Sequence, residues 1–341
     1  MRDQKNLNET EHPGKSLAGR IFSAGSGESF SDLALEVYRF QYEHCRVYRE
    51  FADALYRDPI HVRHVEEIPF LPVEFFRSRE VISEDLNPVA EFRSSGTTGT
   101  IPSRHLVADT SLYDASLSGS FRRFYGDPSA YTFLSLTPEP SHNSHSSLIR
   151  MIVRLMKESP GKHHGFFLKD HKSLSQRLIE NCKKGEKTIL IGLTYALLDF
   201  AEQHPGDFPG LILVETGGMK GRRREITRYE LHEMLQHAFP SSAVHSEYGM
   251  TELLSQAWSG GDGLFNCPPW MKILVREVND PLSYCQYGRT GGISVIDLAN
   301  LYSCSFIATQ DLGRLYEDGS FEVLGRFDSS DLRGCTLMLQ D

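Results

Sequence analysis

The sequence lacks the features that mark several large protein classes. Its six cysteines, Cys45, Cys182, Cys267, Cys285, Cys304 and Cys335, are scattered and form no C-x-x-C pair. That argues against a disulfide framework or a clustered zinc site. No apolar run approaches the roughly 20 residues that cross a bilayer as a helix. The N-terminal residues Met1-Arg2-Asp3-Gln4-Lys5 are polar and lack the apolar stretch of a secretory signal. Lys and Arg total 36 against 45 Asp and Glu, a net charge of −9 at pH 7, and no basic stripe is present to follow a phosphate backbone. There is no internal repeat and no low-complexity block. The expectation is a soluble, reduced, cytoplasmic protein with no nucleic-acid partner and no membrane span. Its 341 residues, 40% of them hydrophobic, suffice for one large or two modest cores.

What is present is one dense loop: Arg93-Ser94-Ser95-Gly96-Thr97-Thr98-Gly99-Thr100-Ile101-Pro102-Ser103-Arg104-His105. Gly96 and Gly99 have no Cβ, so backbone N–H groups can close around an anion. Ser95, Thr97 and Thr98 add hydroxyl donors, and Arg104 offers a guanidinium fork. The loop is not a Walker A motif, because no Gly-Lys-Ser/Thr ends it. A plain Ser/Thr/Gly linker has the same composition, and only the order of residues separates the two readings.

Residues 1–27 are polar and rich in Gly, Ser and Asn, and are expected to form a mobile lead-in. Leu33, Val37, Phe40, Val47, Phe51 and Leu55 then recur at helical spacing. Residues 68–72 read as extended, because each proline disfavours the α region for its predecessor. Past the loop, the pattern predicts strands at 131–136, 165–168, 188–192, 211–215 and 244–247. Helices are expected at 146–157, 173–183, 195–203 and 225–239, the last with Leu231, Met234, Leu235 and Phe239 on one face. Beyond 270 only strands are predicted, at 271–276, 292–296, 304–308 and 320–324. The expected architecture is an α/β core with a wound parallel sheet over 28–270, followed by a β-rich subdomain over 271–341.

Ligands of such sheets gather at the carboxyl ends of strands. Two polar clusters fall there: Thr216-Gly217-Gly218-Met219-Lys220-Gly221 and Glu247-Tyr248-Gly249-Met250-Thr251-Glu252. Taken singly, the first also reads as a plain turn and the second as a helix cap. His142, His145, His163 and His164 follow no ligand spacing and read as surface or loop residues. Residues 143–148 are candidates to line a substrate pocket. Residues 193–198 line an acyl channel or belong to the core, and the core reading is favoured.

Ser-Ser-Gly-Thr-Thr-Gly resembles the phosphate loop of the adenylate-forming superfamily. Ser103-Arg104 stands where that loop's Pro-Lys usually ends, so Arg104 is a candidate substitute for the lysine. Tyr248-Gly249-Met250-Thr251-Glu252 resembles the Tyr-Gly-x-Thr-Glu motif of the same superfamily. The resemblance implies that Tyr248 and Gly249 lie near the adenine, Thr251 at the α-phosphate and Glu252 on Mg²⁺. Thr216-Gly217-Gly218 resembles the adenine-binding turn. Thr309-Gln310-Asp311-Leu312-Gly313 resembles Thr-Gly-Asp-Leu-Gly, whose aspartate grips the ribose, with Gln310 in place of a glycine. Gly325-Arg326-Phe327-Asp328 resembles the Gly-Arg-x-Asp of the interdomain hinge. The chain ends soon after this hinge, at Asp341, so the small mobile C-terminal domain and its lysine are expected to be absent.

A short adenylating chain with a cysteine near its end resembles one branch, the LuxE-type acyl-protein synthetases. The likeness runs from about residue 30 to the C-terminus. It implies ATP- and Mg²⁺-dependent activation of a fatty or other carboxylic acid to acyl-AMP, then transfer to the protein's own cysteine. Cys335 is the cysteine so placed, with Arg326 and Arg333 nearby in sequence to lower its pKa. Ser94, Ser95, Gly96, Thr97, Thr98 and Gly99 belong to the implied nucleotide site. An acyl-CoA-reductase-like protein is the implied partner. A free cysteine is also commonly a small buried hydrophobe. Two other readings are a CoA ligase of the phenylacetate type and a non-catalytic nucleotide-binding scaffold.

Overall fold

A computed structural model describes residues 14–23, 29–94, 101–219, 222–224 and 226–327. Its elements begin with α1 (Gly14–Ile21), α2 (Phe30–His44), α3 (Arg46–Ala54), β1 (Leu71–Pro72) and α4 (Phe75–Ser78). A hairpin, β2 (Ala90–Arg93) and β3 (Arg104–Val107), precedes α5 (Thr110–Tyr125). The wound half is β4 (Thr132–Leu136), α6 (Ser147–Lys157), β5 (Gly165–Phe166), α7 (His171–Lys183), β6 (Thr188–Leu193), α8 (Thr194–Gln203), β7 (Leu211–Thr216), α9 (Arg228–Ala238) and β8 (Ala243–Tyr248). Strands β9 (Ala257–Ser259), β10 (Phe265–Asn266), β11 (Met271–Arg276), β12 (Gly291–Asp297), β13 (Phe306–Leu315) and β14 (Phe321–Arg326) follow.

One sheet joins the two halves. Among the described residues its order is β11-β12-β13-β14-β10-β9-β8-β7-β6-β4-β5, with β1 parallel on β13. Strands β4 to β8 pair in parallel. From β8 to β9 onward the pairing along this path is antiparallel. Every residue of β6 is buried, as expected of a parallel strand covered on both faces. Helices α7, α8 and α9 cover one face of β6 and β7 through Leu178, Leu197, Phe200 and Leu235. Helix α5 covers the opposite face, where Phe121 meets Phe133 and Trp258.

The wound half follows the sequence pattern closely, and four local readings change. Within the stretch read as a lead-in, Gly14–Ile21 is helical, because Leu17 and Ile21 find apolar partners in the main core. The arms of the Ser/Thr/Gly loop are strands rather than loop. Helix α5 has a core face that carries serine, which hid it: Ser116 Oγ accepts from Trp270 Nε1 at 2.8 Å and Ser120 Oγ from Trp258 Nε1 at 2.9 Å. On α9, Met234 is exposed while Leu231 and Leu235 are buried, because the buried stripe follows the spacing of four.

Candidate functional site

The site lies where the parallel strands end and the antiparallel ones begin. Strand β7 ends at Thr216, and Gly217 and Gly218 follow at φ 76° and 63°. That left-handed backbone suits glycine and turns the chain over the sheet edge. Strand β8 lies beside β7 and ends at Tyr248. Thr216 Oγ1 donates to Glu247 Oε2 at 2.5 Å. A Cβ on Gly249 would strike Glu247 Oε1, so glycine there gives room to the carboxyl group.

Two buried carboxyl groups belong to this edge, Glu215 at the end of β7 and Glu247 at the end of β8. Glu215 accepts from Arg228 Nε at 3.1 Å and from Thr194 Oγ1 at 3.1 Å. Glu247 has no cation partner among the described residues. Burial pushes its pKa up to about 7; the bond from Thr216 opposes this and the charge of Glu215 adds to it. Arg228 also donates to the Val323 carbonyl at 2.9 Å, tying α9 to β14.

Asp311 comes from β13, across the change in sheet type. Tyr248 Oη donates to its Oδ2 at 2.8 Å and Arg326 Nε to its Oδ1 at 3.2 Å. Tyr248, Asp311 and Arg326, chosen from three separate motifs, therefore meet at one carboxylate. Burial and the Asp311 charge raise the Tyr248 pKa far above its usual value, so its hydroxyl remains a donor. Gln310, the departure from the glycine pattern, turns outward and donates to Glu74 Oε1 at 2.5 Å. Arg276 holds the same corner, donating to the carbonyls of Ile293 and Thr309 at 2.5 Å each.

Thr251 and Glu252 follow in the turn after β8. Glu252 is only 5% exposed and forms no ion pair among the described residues. Burial raises its pKa, opposed by the Ser103 hydroxyl and the charges of Arg326 and Arg77. A buried carboxylate lacking a close cation suits a divalent ion, whose charge would restore ionisation. Its neighbours in the turn are capped by Asp297, which accepts from the N–H groups of Leu254 and Ser255 at 2.7 and 2.9 Å.

The hairpin stands over this turn. Arg93 faces Arg104 in the ladder, and the Ser103 N–H donates to Ser94 Oγ at 2.8 Å. Glu91 Oε1 holds both cations, Arg93 Nε at 2.7 Å and Arg104 Nε at 3.0 Å. Two residues beyond Ser103, the buried His105 reaches the Thr251 carbonyl with Nδ1 and Asn300 Oδ1 with Nε2, each at 2.9 Å. His145 Nδ1 meets the Glu91 carbonyl at 3.0 Å, so the 143–148 segment packs on β2. Residues 193–198 are buried, and the apolar ones pack within the core beneath α7 and α9.

Ser94, Arg104, Thr216, Gly217, Gly218, Tyr248, Gly249, Thr251, Glu252, Asp311 and Arg326 are thus distributed over the hairpin and this sheet edge. Ser95, Gly96, Thr97, Thr98 and Gly99 lie outside the described residues, as does Cys335. Among the other cysteines, burial raises the thiol pKa of Cys45 to about 11 and lifts those of Cys267, Cys285 and Cys304 as well. The sequence reading did not single out His105, Asn300, Asp297 or Glu215, and it took Glu247 only as the start of a motif. No helix among the described residues is long and apolar enough to cross a membrane.

The family description "Acyl-protein synthetase, LuxE" matches residues 26–341. A long-chain-fatty-acid–luciferin-component ligase of Photorhabdus luminescens is 31% identical over 68 residues, which cover 20% of this chain and 58% of that protein. Among solved structures, a 2-hydroxyisobutyryl-CoA ligase in complex with 2-HIB-AMP and CoA has a TM-score of 0.67 at 13% identity, over 96% of this chain and 74% of its own. The luciferase-like enzyme of the nonluminescent mealworm Zophobas morio gives 0.51 at 16% identity, over 71% and 58%. ATP-bound MatB from Rhodopseudomonas palustris gives 0.52 at 17% identity, over 70% and 48%. At these identities the likeness is one of fold. The architecture is that of the adenylate-forming enzymes.

Proposed function

This chain belongs to the LuxE acyl-protein synthetase family, and from that premise we propose that it activates a carboxylic acid with ATP and passes the acyl group to a protein cysteine. A fatty acid is the favoured substrate. The observation that carries the reading is the meeting of Tyr248, Asp311 and Arg326 at one buried carboxylate, beside the turn that holds Thr251 and Glu252.

The reaction has two steps. An oxygen of the substrate carboxylate bonds to the α-phosphorus of ATP, the α–β anhydride bond breaks, and pyrophosphate leaves with the electron pair. The product is acyl-AMP. Its carbonyl carbon is then attacked by a cysteine thiolate, the C–O bond to phosphate breaks, and AMP departs, leaving a thioester.

Each residue has a task that suits its chemistry. The Asp311 carboxylate accepts from the ribose hydroxyls, with Arg326 beside it. Tyr248 lies against the adenine over the glycine turn at Gly217 and Gly218. The loop's N–H groups and hydroxyls bind phosphate oxygens, and Thr251 donates to the α-phosphate. Arg104 supplies positive charge once phosphate draws it from Glu91. Glu252 would hold Mg²⁺, whose charge would neutralise the phosphates. Cys335 takes the acyl group, and an acyl-CoA-reductase-like partner collects it.

The test is intact-protein mass spectrometry after incubation with ATP, Mg²⁺ and a panel of fatty and aryl acids, followed by hydroxylamine. A hydroxylamine-labile acyl adduct at Cys335 is expected. Acid-dependent AMP release without an adduct, stimulated by CoA, would instead identify a CoA ligase. Absence of ATP–pyrophosphate exchange with every acid would favour a nucleotide-binding scaffold.

A further inference from the structure

We infer that His105 is a positioning residue for the adenylation proposed above, its imidazole locking the outgoing arm of the Ser/Thr/Gly loop to the turn that carries Thr251 and Glu252. The inference rests on that reading for its link to catalysis, whereas the lock itself is geometric.

Strand β3 is held to the body of the protein by apolar packing of Val107 in the main core, and His105 adds a polar tie in a defined direction. Among the described residues it pairs only with β2, in a two-stranded sheet separate from the main one. A two-stranded ribbon alone is marginal in water. His105 is completely buried and points from β3 into the junction between the two halves of the main sheet. Its Nδ1 meets the Thr251 carbonyl across 146 residues of sequence, and its Nε2 meets Asn300 Oδ1 across 195.

Asn300 extends the link. Its Nδ2 donates to the carbonyls of Glu252 and Cys304, both at 2.8 Å. Those two bonds fix which side of the amide faces His105, since only the nitrogen can donate to carbonyls. The ring therefore touches the backbone of Thr251 directly and that of Glu252 through one amide. Ser103, two residues earlier, lies against the Glu252 carboxyl group. Three contacts thus join the loop's exit arm to two successive residues.

Packing alone does not explain a histidine here. Phe76 and Phe92 meet the ring edge-on at 5.6 and 6.3 Å, and an apolar side chain would fill that space without the cost of desolvating an imidazole. Two acceptors facing the ring favour its doubly protonated form, while burial opposes charge and prevails, lowering the pKa to about 4. The ring at neutral pH is thus a fixed, uncharged wedge whose single N–H donates to one of the two facing oxygens while the other nitrogen packs against the second. The spacing between β3 and the Thr251–Glu252 turn is set through it, and a displacement of about 1 Å between catalytic groups costs on the order of 100-fold in rate.

The test compares His105→Phe and His105→Gln with the wild type. His105→Phe keeps the ring volume and removes both nitrogens. His105→Gln keeps an amide that reaches one carbonyl. In acid-dependent ATP–pyrophosphate exchange, kcat should fall on the order of 100-fold in His105→Phe with KM for the acid unchanged, and His105→Gln should recover about tenfold of it. In hydrogen exchange, segments 103–107 and 251–254 should lose protection together in both variants. Wild-type kcat in a folded His105→Phe, or loss of protection in one segment without the other, overturns the inference. If His105→Phe does not fold, the exchange pattern of His105→Gln decides. A wild type that exchanges with no acid would refute the adenylation reading, and the hydrogen-exchange result would still decide the lock.

Discussion

Replacing Glu247 with glutamine should change how stability depends on pH, and the structure sets the size. The glutamine has the same shape and keeps an oxygen for the Thr216 hydroxyl. It removes only the titration. Burial holds the carboxyl group's pKa at about 7 in the folded protein, against an ordinary value of 4.5. A raised carboxyl pKa means that the folded state binds the proton more tightly than the unfolded chain. The stabilisation is complete below the unfolded value and is lost as pH rises through the folded one. The residue is only 9% exposed, so solvent screening reduces the effect little. Between pH 5 and pH 8 the wild type should lose about 2.5 kcal/mol of stability relative to Glu247→Gln. Asp297, also raised by burial, to about 6, is common to both proteins and cancels in the difference. Urea denaturation of the nucleotide-free proteins at pH 5, 6, 7 and 8 measures it. A difference that stays constant across the series would show that Glu247 is ionised when folded, and the account of its burial would be wrong.

Asp311→Asn removes the charge that Arg326 and Tyr248 share; KM for ATP should rise roughly tenfold with KM for the acid unchanged, as measured by pyrophosphate exchange. Cys335→Ser should retain acyl-AMP formation and abolish the covalent acyl-enzyme in intact-mass spectra; a thioester persisting in this variant would remove Cys335 from its role. Glu91→Gln removes the nearer carboxylate from Arg93 and Arg104, leaving Arg104 only Glu80 at 3.8 Å, and should lower KM for ATP severalfold at low salt. High salt should erase that gain, and an unchanged KM would place both arginines away from phosphate. The buried Gln41 amide shares its two Nε2 protons among the carbonyls of Asn300 and Leu301 and the Ser305 hydroxyl, and its Oε1 accepts from the Ser305 N–H. Gln41→Leu leaves those partners unsatisfied and should cost about 3 kcal/mol in denaturant titration.

The wound half was legible because its elements advertise themselves. β6 is a short all-apolar run between polar flanks, and α9 opens on Thr227 and Glu230, a reciprocal capping pair. Helix α5 was missed although Tyr113, Leu117 and Phe121 recur at spacing four, because its buried face also uses Ser116 and Ser120 as acceptors for two tryptophans, which dilutes the apolar stripe. The same physics divides the site. Tyr248, Asp311 and Arg326 were found through local motifs. His105, Asn300, Asp297 and Gln41 were missed because a polar residue in a single sequence reads as surface. Each of these is buried and satisfied by a partner far along the chain, such as the 259 residues between Gln41 and Asn300. Together they fasten α2, the hairpin, the Thr251–Glu252 turn and the end of β12 to one another. Most residues expected to touch nucleotide thus sit on turns and strand ends, with Asp311 inside β13, and the polar groups beneath them are paired in the interior. A buried unpaired polar group costs more than a well-made hydrogen bond contributes, so each interior pair penalises every arrangement except the one that aligns those turns.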